Sequence, residues 1–443
     1  MFFIPRWQKV LVLCIDSSLF IFLSLQLTSW THPESSPWEL FRSPGFAFVF
    51  FVYLFSSYVL GAYEASDFER KSDVFRRLSL IFIVSTSVIL SVHYLGDKER
   101  SGIFSRPFLI GVIGLQWLGS YWVRLLWRAL SVRNLTRQKW LFLLEEPSVE
   151  RVRTDLNLRK FQFDYRIVTD WSTVSLAELT GPHWNSVVVG APSFNVPKEI
   201  SRSLVQRKLQ GYVVLDLVSF YERKFLKLPV FFLGMDWLYA SDGFRLVSQG
   251  FFVRLKRLVD FLLSGLLLIL CLPLLLILGL LIPLDSKGPV FFRQIRTGKN
   301  GRNFLLTKLR TMRTDAEKNG PQWAKAQDNR VTPLGSFLRK TRLDELPQLW
   351  NVIKGEMSLI GPRPERPEFN HLLEREIPFY QLRHVVRPGL TGWAQIHFPY
   401  GASVEDAREK LQYELWYIKN SNLWVDLQIL LKTIGVVLMG RGR

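Results

Sequence analysis

Long apolar runs dominate the first 130 residues of the chain. The runs cover residues 10–27, 46–60, 78–94 and 108–123. Each is about 15–18 residues long, near the lower end of the roughly 17–25 residues that a helix needs to cross a bilayer. A cleavable signal peptide is a poor alternative, because three more runs follow the first and no small-residue cleavage site comes after it. The pattern predicts a four-helix transmembrane domain over residues 1–130.

Charge in the connecting segments predicts the orientation of these helices. Residues 63–77 and the segment after the fourth run are rich in Lys and Arg, whereas residues 28–44 carry only Arg42 against two glutamates. The positive-inside rule then places the N-terminus and everything after the fourth run in the cytoplasm. Asp16, inside the first run, is either a functional intramembrane carboxylate or a structural, paired one, and we favour the structural interpretation.

Residues 137–250 show short β-type runs that alternate with polar, helix-compatible stretches. The β-type runs cover residues 140–144, 163–168, 186–189 and 212–217. This alternation is typical of a parallel sheet with crossover helices, so we predict a Rossmann-like α/β domain. A glycine-rich dinucleotide loop does not follow the first run; Glu145 and Glu146 stand there and would repel a pyrophosphate. We expect a regulatory or oligomerising role rather than nucleotide binding.

A fifth apolar run, residues 258–284, is long enough to cross a bilayer. Pro273 lies in its middle, where it removes a backbone hydrogen bond and breaks or kinks a helix. Basic residues flank the run on both sides, and residues 286–313 contain no acidic residue. Both ends of the run should therefore face the cytoplasm. We predict a re-entrant helix with its break at Pro273; the alternative is a fifth spanning helix with a proline kink.

Composition then narrows the classes of function. The chain has 443 residues, 48% of them hydrophobic, and 57 Lys and Arg against 38 Asp and Glu give a net charge of +19. Such a chain is too apolar to be disordered. Its two cysteines, Cys14 and Cys271, both lie in apolar runs and exclude a disulfide scaffold. The basic excess points to nucleic acid, anionic lipid or a phosphate-rich substrate, and the apolar runs favour the last two.

The segment 341–350, TRLDELPQLW, contains two adjacent carboxylates, Asp344 and Glu345. Thr341 followed by Asp344 resembles a capping box, and Pro347 suits a first helical turn. We therefore expect a helix to begin here, with both carboxylates at its positive end. A carboxylate among cations can serve as a nucleophile or bind Mg²⁺. The residues expected to contact phosphate are Lys308, Arg310, Arg339, Arg363 and Arg387.

Five motifs occur in order in the last 200 residues. They are GPVFFR at 288–293, KLRTM at 308–312, LDELPQLWN at 343–351, MSLIGPRPE at 357–365 and RPGLTGWAQI at 387–396. In these motifs, residues 251–443 resemble the catalytic domain of the bacterial sugar transferase family. The members of this family are monotopic polyprenyl-phosphate phosphoglycosyl transferases. The four N-terminal spans and the α/β domain resemble the large form of that family. PYGASVED at 399–406 and SDGF at 241–244 resemble its exopolysaccharide and exosortase-associated subgroup.

The resemblance implies a mainly α-helical catalytic domain with a re-entrant membrane helix. It also implies transfer of sugar-1-phosphate from a UDP-sugar to undecaprenyl phosphate, with release of UMP and with Mg²⁺ as cofactor. Asp344 would be the nucleophile, Glu345 its partner, and the two would also be the Mg²⁺ ligands. The protein would lie in the bacterial inner membrane with its catalytic domain on the cytoplasmic face, in contact with lipid and compatible with a homodimer. The family often has Ser-Pro at the membrane break, where this chain has Leu272-Pro273.

Two other classes of function fit parts of the sequence. A membrane receptor or transporter subunit would use intramembrane polar residues, of which the sequence offers only Asp16. A membrane-bound nucleic-acid-binding protein would use the basic stretch 287–313. That stretch directly follows the fifth apolar run, so lipid phosphate is nearer, and we expect no nucleic acid partner.

Overall fold

The computed structural model describes residues 6–34, 37–60, 62–64, 71–95, 105–135, 139–158, 164–170, 183–190, 196–244, 250–316, 328–398 and 403–438. The chain forms two compact units, Met1–Phe220 and Tyr221–Arg443.

Apolar helices make up the N-terminal part of the first unit. They are α1 Arg6–Thr31, α2 Pro37–Arg42, α3 Pro44–Val59, α4 Lys71–Leu95 and α5 Arg106–Leu135. Segments of α1, α4 and α5 are long and apolar enough to cross a membrane. Helix α3 has 16 residues, which corresponds to about 24 Å against a hydrocarbon core of about 30 Å. The helices therefore coincide with the four predicted runs, and α3 is the shortest of the four.

Asp16 on α1 is fully buried and paired. Arg124 on α5 donates from Nη2 to its Oδ2 at 2.8 Å, and the Ser120 hydroxyl donates to its Oδ1 at 2.8 Å. The Ser120 Oγ lies 3.1 Å from the hydroxyl of Tyr53 on α3. The predicted buried and helix-paired position of Asp16 is confirmed, since a charge inside an apolar bundle is tolerated when it is paired and hydrogen-bonded.

The remainder of the first unit is an α/β region. Strands β1 Lys139–Leu143, β2 Asp164–Val168, β3 Ser186–Val189 and β4 Val213–Asp216 form a parallel sheet in the order β2-β1-β3-β4. Helices α6 Glu146–Leu158 and α7 Lys198–Leu209 accompany it, and α8 Leu217–Lys224 follows β4 and continues into the second unit. Leu141 and Leu143 of β1 pack against Val187 and against Ile200 and Leu204 of α7. The four predicted strands and their parallel pairing are confirmed. They could be predicted because buried parallel strands appear in a sequence as short continuous apolar runs.

The second unit combines helices with two small sheets. The helices are α9 Met235–Ala240, α10 Gly250–Asp285, α11 Pro333–Thr341, α12 Gln348–Lys354, α13 Pro367–Glu376, α14 Trp393–His397, α15 Val404–Asn420 and α16 Leu423–Leu438. Strand β5 Phe291–Thr297 pairs antiparallel with β6 Asn303–Leu309, and β7 Ser358–Ile360 pairs parallel with β8 Gly389–Thr391.

Helix α10 covers the fifth apolar run and is also long and apolar enough to cross a membrane. It has 36 residues and contains both Pro273 and Pro283. Buried residues lie towards its two ends, for example Asp260 and Leu278, whereas Ile269 and Leu270 between them are exposed. The helical range continues through Pro273, and the re-entrant course of this segment stays a prediction.

Candidate active site

The two adjacent carboxylates lie in a 3₁₀ turn, Leu343–Glu345, between α11 and α12. The residue before the turn, Arg342, has φ of 60° and ψ of 15°, the left-handed conformation that commonly ends a helix. This reversal turns the chain inwards, and Asp344 and Glu345 are both buried. Two charged side chains are thus held beneath the surface next to one another.

The predicted capping box at Thr341 is wrong. Thr341 is the last residue of α11, and its hydroxyl donates to the carbonyl of Phe337 at 2.9 Å. Pro347 immediately precedes α12 instead of lying in its first turn. The left-handed Arg342 is the physical reason, because one helix cannot continue through that conformation and a new one begins only after it.

Glu345 is held by two arginines. Arg363 donates from Nη2 to Oε1 at 2.6 Å and from Nη1 to Oε2 at 3.4 Å, and Arg342 donates to Oε1 at 3.3 Å. Burial by itself would raise the pKa of Glu345, but Arg363, Lys308 and Arg342 outweigh it and hold that pKa well below its usual range. Glu345 is therefore an ionised carboxylate whose oxygens are already occupied.

Asp344 differs from its neighbour. Within the described part of the chain, no hydrogen bond or ion pair occupies its carboxylate. Burial raises its pKa and so does the charge of Glu345, while Lys308, Arg339 and Arg363 act in the opposite direction. A buried carboxylate with unoccupied oxygens among basic side chains is suited to nucleophilic attack on an anionic phosphate.

Lys308 on β6 lies close enough to both carboxylates to interact with their charges. Burial lowers its pKa to about 8, and Glu345 partly offsets that effect. The ammonium group is therefore protonated at neutral pH and loses its charge slightly above it. Sequence reasoning proposed Lys308 as a phosphate contact, and the structure places it beside Asp344 and Glu345.

The other predicted cations divide into two groups. Arg339 donates from Nε to the hydroxyl of Thr311 at 2.8 Å, and its charge lowers the pKa of Asp344. Arg310 instead donates to the carbonyl of Lys287 at 3.2 Å and to that of Ser286, beyond the end of α10. The structure thus brings Lys308, Arg339 and Arg363 near the carboxylates, whereas Arg310 binds the backbone just after α10.

Arg387 lies at the other end of α12. It donates from Nε to the carbonyl of Gly355 at 3.0 Å, and Gly355 is the C-cap of that helix. Helix α12 has seven residues, about 10 Å, and the carboxylate pair lies just before its first residue. Arg387 is therefore separated from Asp344 by roughly the length of α12, and phosphate binding by Arg387 stays a prediction.

Sequence reasoning missed Arg383. This buried arginine donates to the carbonyl of Arg363 at 2.7 Å and makes two 2.9 Å hydrogen bonds to Glu414 on α15. Its Nη1 also donates to the hydroxyl of Tyr380 at 2.6 Å. Arg383 therefore positions the loop that carries Arg363. It lies just before the motif 387–396 and outside all five motifs, so the sequence offered no signal for it.

Metal ligands are few at this site. The described ranges contain no group of three or more His, Cys, Asp or Glu side chains that could hold a metal ion. Mg²⁺ in phosphoryl-transfer sites is usually held by one or two carboxylates together with the substrate phosphates. Asp344 fits that pattern as one oxygen ligand, whereas the oxygens of Glu345 already accept hydrogen bonds from two arginines.

Comparison with known proteins finds a family match over most of the second half of the chain. Residues 251–440 match the family described as bacterial sugar transferase. The chain is 38% identical over 273 residues to the UDP-N-acetylgalactosamine-undecaprenyl-phosphate N-acetylgalactosaminephosphotransferase of Aeromonas hydrophila, covering 62% of this chain and 63% of that protein.

Two further relatives are UDP-glucose:undecaprenyl-phosphate glucose-1-phosphate transferases. The protein from Xanthomonas campestris pv. campestris is 42% identical over 188 residues, 42% of this chain and 39% of the relative. The protein from Caulobacter vibrioides is 44% identical over 183 residues, 40% of this chain and 68% of the relative. The chain thus spans less than two thirds of the Aeromonas and Xanthomonas proteins and slightly more than two thirds of the Caulobacter protein.

Proposed function

The chain belongs to the bacterial sugar transferase family, and we propose that it is a phosphoglycosyl transferase acting on undecaprenyl phosphate. In this proposal a UDP-sugar donates sugar-1-phosphate to the lipid phosphate and UMP is released. The reaction would be the first membrane step in the assembly of an exopolysaccharide or a related glycoconjugate. The observation that carries the proposal is the contrast between Glu345, whose oxygens are occupied by arginines, and Asp344, whose oxygens are not.

In the first step, a carboxylate oxygen of Asp344 attacks the phosphorus that bears the sugar. The bond from this phosphorus to the bridging oxygen breaks, and UMP leaves with the electron pair. The product is an aspartyl phosphosugar, an acyl phosphate on Asp344. Lys308 and Arg339 lie near the attacking group and offset the negative charge that a diphosphate brings to a carboxylate.

In the second step, an oxygen of the lipid phosphate attacks the same phosphorus. The bond to the Asp344 oxygen breaks, and the carboxylate returns to its starting state. Glu345 keeps Arg363 in place through its two-point contact, so the guanidinium stays beside the reacting phosphate in both steps. Both displacements occur at the same phosphorus, with Asp344 as the attacking group in the first and the leaving group in the second, so the reaction needs only one open carboxylate.

Mg²⁺ is part of the proposal. Asp344 would supply one protein oxygen to the ion, and the donor diphosphate would supply others. When bound, the ion would neutralise the diphosphate and make the UMP group a better leaving group. Glu345 contributes through its charge, because its oxygens are directed at Arg363 and Arg342.

The membrane arrangement belongs to the same proposal. Leu278 and Ile282 near the end of α10 pack with Leu309 and Leu338 of the catalytic region. Asp260 near its start accepts a hydrogen bond from the backbone of Leu359 at 3.1 Å. An apolar helix anchored at both ends on one unit, with an exposed apolar middle, supports a re-entrant segment in the inner membrane beneath a cytoplasmic catalytic domain. The Rossmann-like domain would have a regulatory role or support a homodimer.

The intact mass of the full-length protein tests the proposal. Protein mixed with Mg²⁺ and a panel of UDP-sugars, without lipid acceptor, should gain the mass of one sugar phosphate on Asp344 with the matching donor. Undecaprenyl phosphate should remove the adduct, and UMP release should then continue only while lipid is present. A receptor, a transporter subunit or a nucleic-acid-binding protein would give neither result.

Two variants sharpen this test. Asp344→Asn should carry no adduct and have background activity, because an amide does not form the acyl phosphate. Asp285→Asn, which changes an exposed carboxylate at the end of α10, should behave as wild type. An adduct that maps to Glu345, or that persists in Asp344→Asn, would show that the nucleophile is misassigned.

A further inference from the structure

A basic cavity lies where the start of α10 meets β7 and the segment before β8. It has an empty volume of about 360 Å³, including its open mouth. The charged side chains that line it are Lys256 and Arg257 of α10, Asp260 of α10, Lys299 between β5 and β6, and Arg387 before β8. Four cations from three separate parts of the chain therefore line one cavity together with a single carboxylate.

Some of these charges are already used within the protein. Lys256 pairs with Asp426 on α16 at 2.7 Å. Arg257 donates to the carbonyl of Val352 and, at 2.6 Å, to that of Ile353, at the C-terminal end of α12. Cations stabilise that end of a helix, so these contacts account for the position of Arg257.

The other two cations, Arg387 and Lys299, have hydrogen-bond donors that no described residue occupies. Arg387 uses only its Nε, towards Gly355, and the Nη atoms have no partner among the residues that the structure describes. Lys299 has no hydrogen bond or ion pair to any of those residues either. Like charges brought together around a cavity repel each other unless an anion lies between them. The cavity thus has the charge and the donors for a bound anion.

The position of the cavity indicates where that anion comes from. Helix α10 is a candidate membrane segment, and the apolar side chains of Phe251, Leu258 and Val259 near its start are exposed. The cavity therefore lies beside the point where α10 begins, at the level expected for lipid headgroups. It is also at the opposite end of α12 from the carboxylate pair, which separates it from the proposed transfer site by about 10 Å.

We propose that this cavity binds the phosphate of an anionic membrane phospholipid, which is a bound lipid distinct from the lipid that reacts. The phosphate would lie between the ammonium of Lys299 and the terminal nitrogens of Arg387. Such a lipid would fasten the catalytic unit to the membrane surface at the start of α10. The proposal concerns binding alone, so it is tested without nucleotide and stands or falls independently of the transfer reaction.

Native mass spectrometry of the full-length protein in detergent tests it. Phosphatidylglycerol should be retained at several-fold lower concentration than phosphatidylcholine. Lys299→Gln should weaken phosphatidylglycerol binding about five-fold, because a partly exposed charge-assisted hydrogen bond is lost. Lys299 has no partner among the described residues, so this change should leave the fold intact. Lys354→Gln removes the same charge from an exposed residue of α12 that does not line the cavity, and should leave the affinity within two-fold.

Four outcomes would overturn the proposal. Equal retention of the two lipids would show that the headgroup charge is not recognised. An equal loss of phosphatidylglycerol affinity in Lys299→Gln and Lys354→Gln would show that general surface charge, and not the cavity, causes the effect. Displacement of phosphatidylglycerol by micromolar inorganic phosphate would identify free phosphate as the ligand. Displacement by an equimolar amount of undecaprenyl phosphate would identify the cavity as the site of the reacting lipid.

Discussion

Arg363 makes a two-point ion pair with Glu345, at 2.6 Å from Nη2 to Oε1 and 3.4 Å from Nη1 to Oε2. The neighbouring carboxylate of Asp344 has no such partner among the described residues. Two acidic residues that are adjacent in sequence therefore have different chemistry. Glu345 holds Arg363 and Arg342, whereas the carboxylate of Asp344 is open and is the nucleophile in the proposed reaction.

Arg363→Lys should lower turnover about ten-fold or more. Lysine keeps the charge but loses the planar fork, and a hydrogen bond to a charged group contributes about 1.5–3 kcal/mol. Arg342→Lys is the matched control, because Arg342 makes a single 3.3 Å contact to Glu345 that needs no fork. Steady-state UMP release measures both variants. Equal effects of the two changes would show that the two-point geometry is unimportant.

The efficiency of the reaction with the UDP-sugar should fall as pH rises through about 8. Lys308 has a pKa lowered to about 8 by burial, so its positive charge beside the carboxylates is present below that pH and lost above it. Lys308→Arg should keep its charge and shift the alkaline decline in kcat/KM to higher pH. A decline at the same pH in wild type and variant would assign the titration to another group.

The rate of adduct formation on Asp344 should also decline at acidic pH. The pKa of Asp344 is raised, first by burial and then by Glu345, so its carboxylate becomes protonated at a higher pH than an ordinary aspartate. Adduct formation should therefore fall as pH falls towards that pKa, because the neutral acid is a poor nucleophile. Rates of adduct formation across acidic pH, measured by intact mass, check this. Full reactivity at a pH where ordinary aspartates are protonated would contradict it.

Cysteines placed at Ser248 and Ser286 should both react from the cytoplasmic side. Ser248 lies outside the described residues and Ser286 follows α10, so the two positions bracket the proposed re-entrant segment. Both native cysteines are first replaced, and a membrane-impermeant maleimide is applied to vesicles of each orientation. A protein that keeps only Cys271 is the control and should stay unlabelled until detergent is added. Labelling of the two positions from opposite sides would establish a spanning helix.

Arg124→Leu should destabilise the N-terminal helices by about 3–5 kcal/mol. The change leaves the fully buried carboxylate of Asp16 without its cationic partner, which is far costlier than exchanging both members of the pair. The double variant with Asp16→Asn should recover most of the loss. Unfolding midpoints in detergent measure both proteins. Equal midpoints for the single and double variants would show that no charge penalty is involved.

Local patterns determined much of the architecture. The apolar runs predicted α1, α3, α4, α5 and α10, and the short β-type runs predicted all four strands of the parallel sheet. These features depend on the period of apolar residues along the chain, which the sequence shows directly. The carboxylate pair was also visible, because Asp344 and Glu345 are adjacent and lie in a specific motif.

Only the tertiary structure decided what each charged group does. It showed that Glu345 is paired with arginines and Asp344 is not. It also showed that Arg310 contacts the backbone just after α10 and that Arg387 lies at the far end of α12. It further showed that Arg383 donates to the carbonyl of Arg363 and is itself held by Glu414, which is 31 residues away in sequence. The sequence by itself determined where helices and strands form, because their periodicity is local. The roles of the cations depend on which distant backbone and side-chain atoms lie within about 3 Å of them, and folding alone sets those distances.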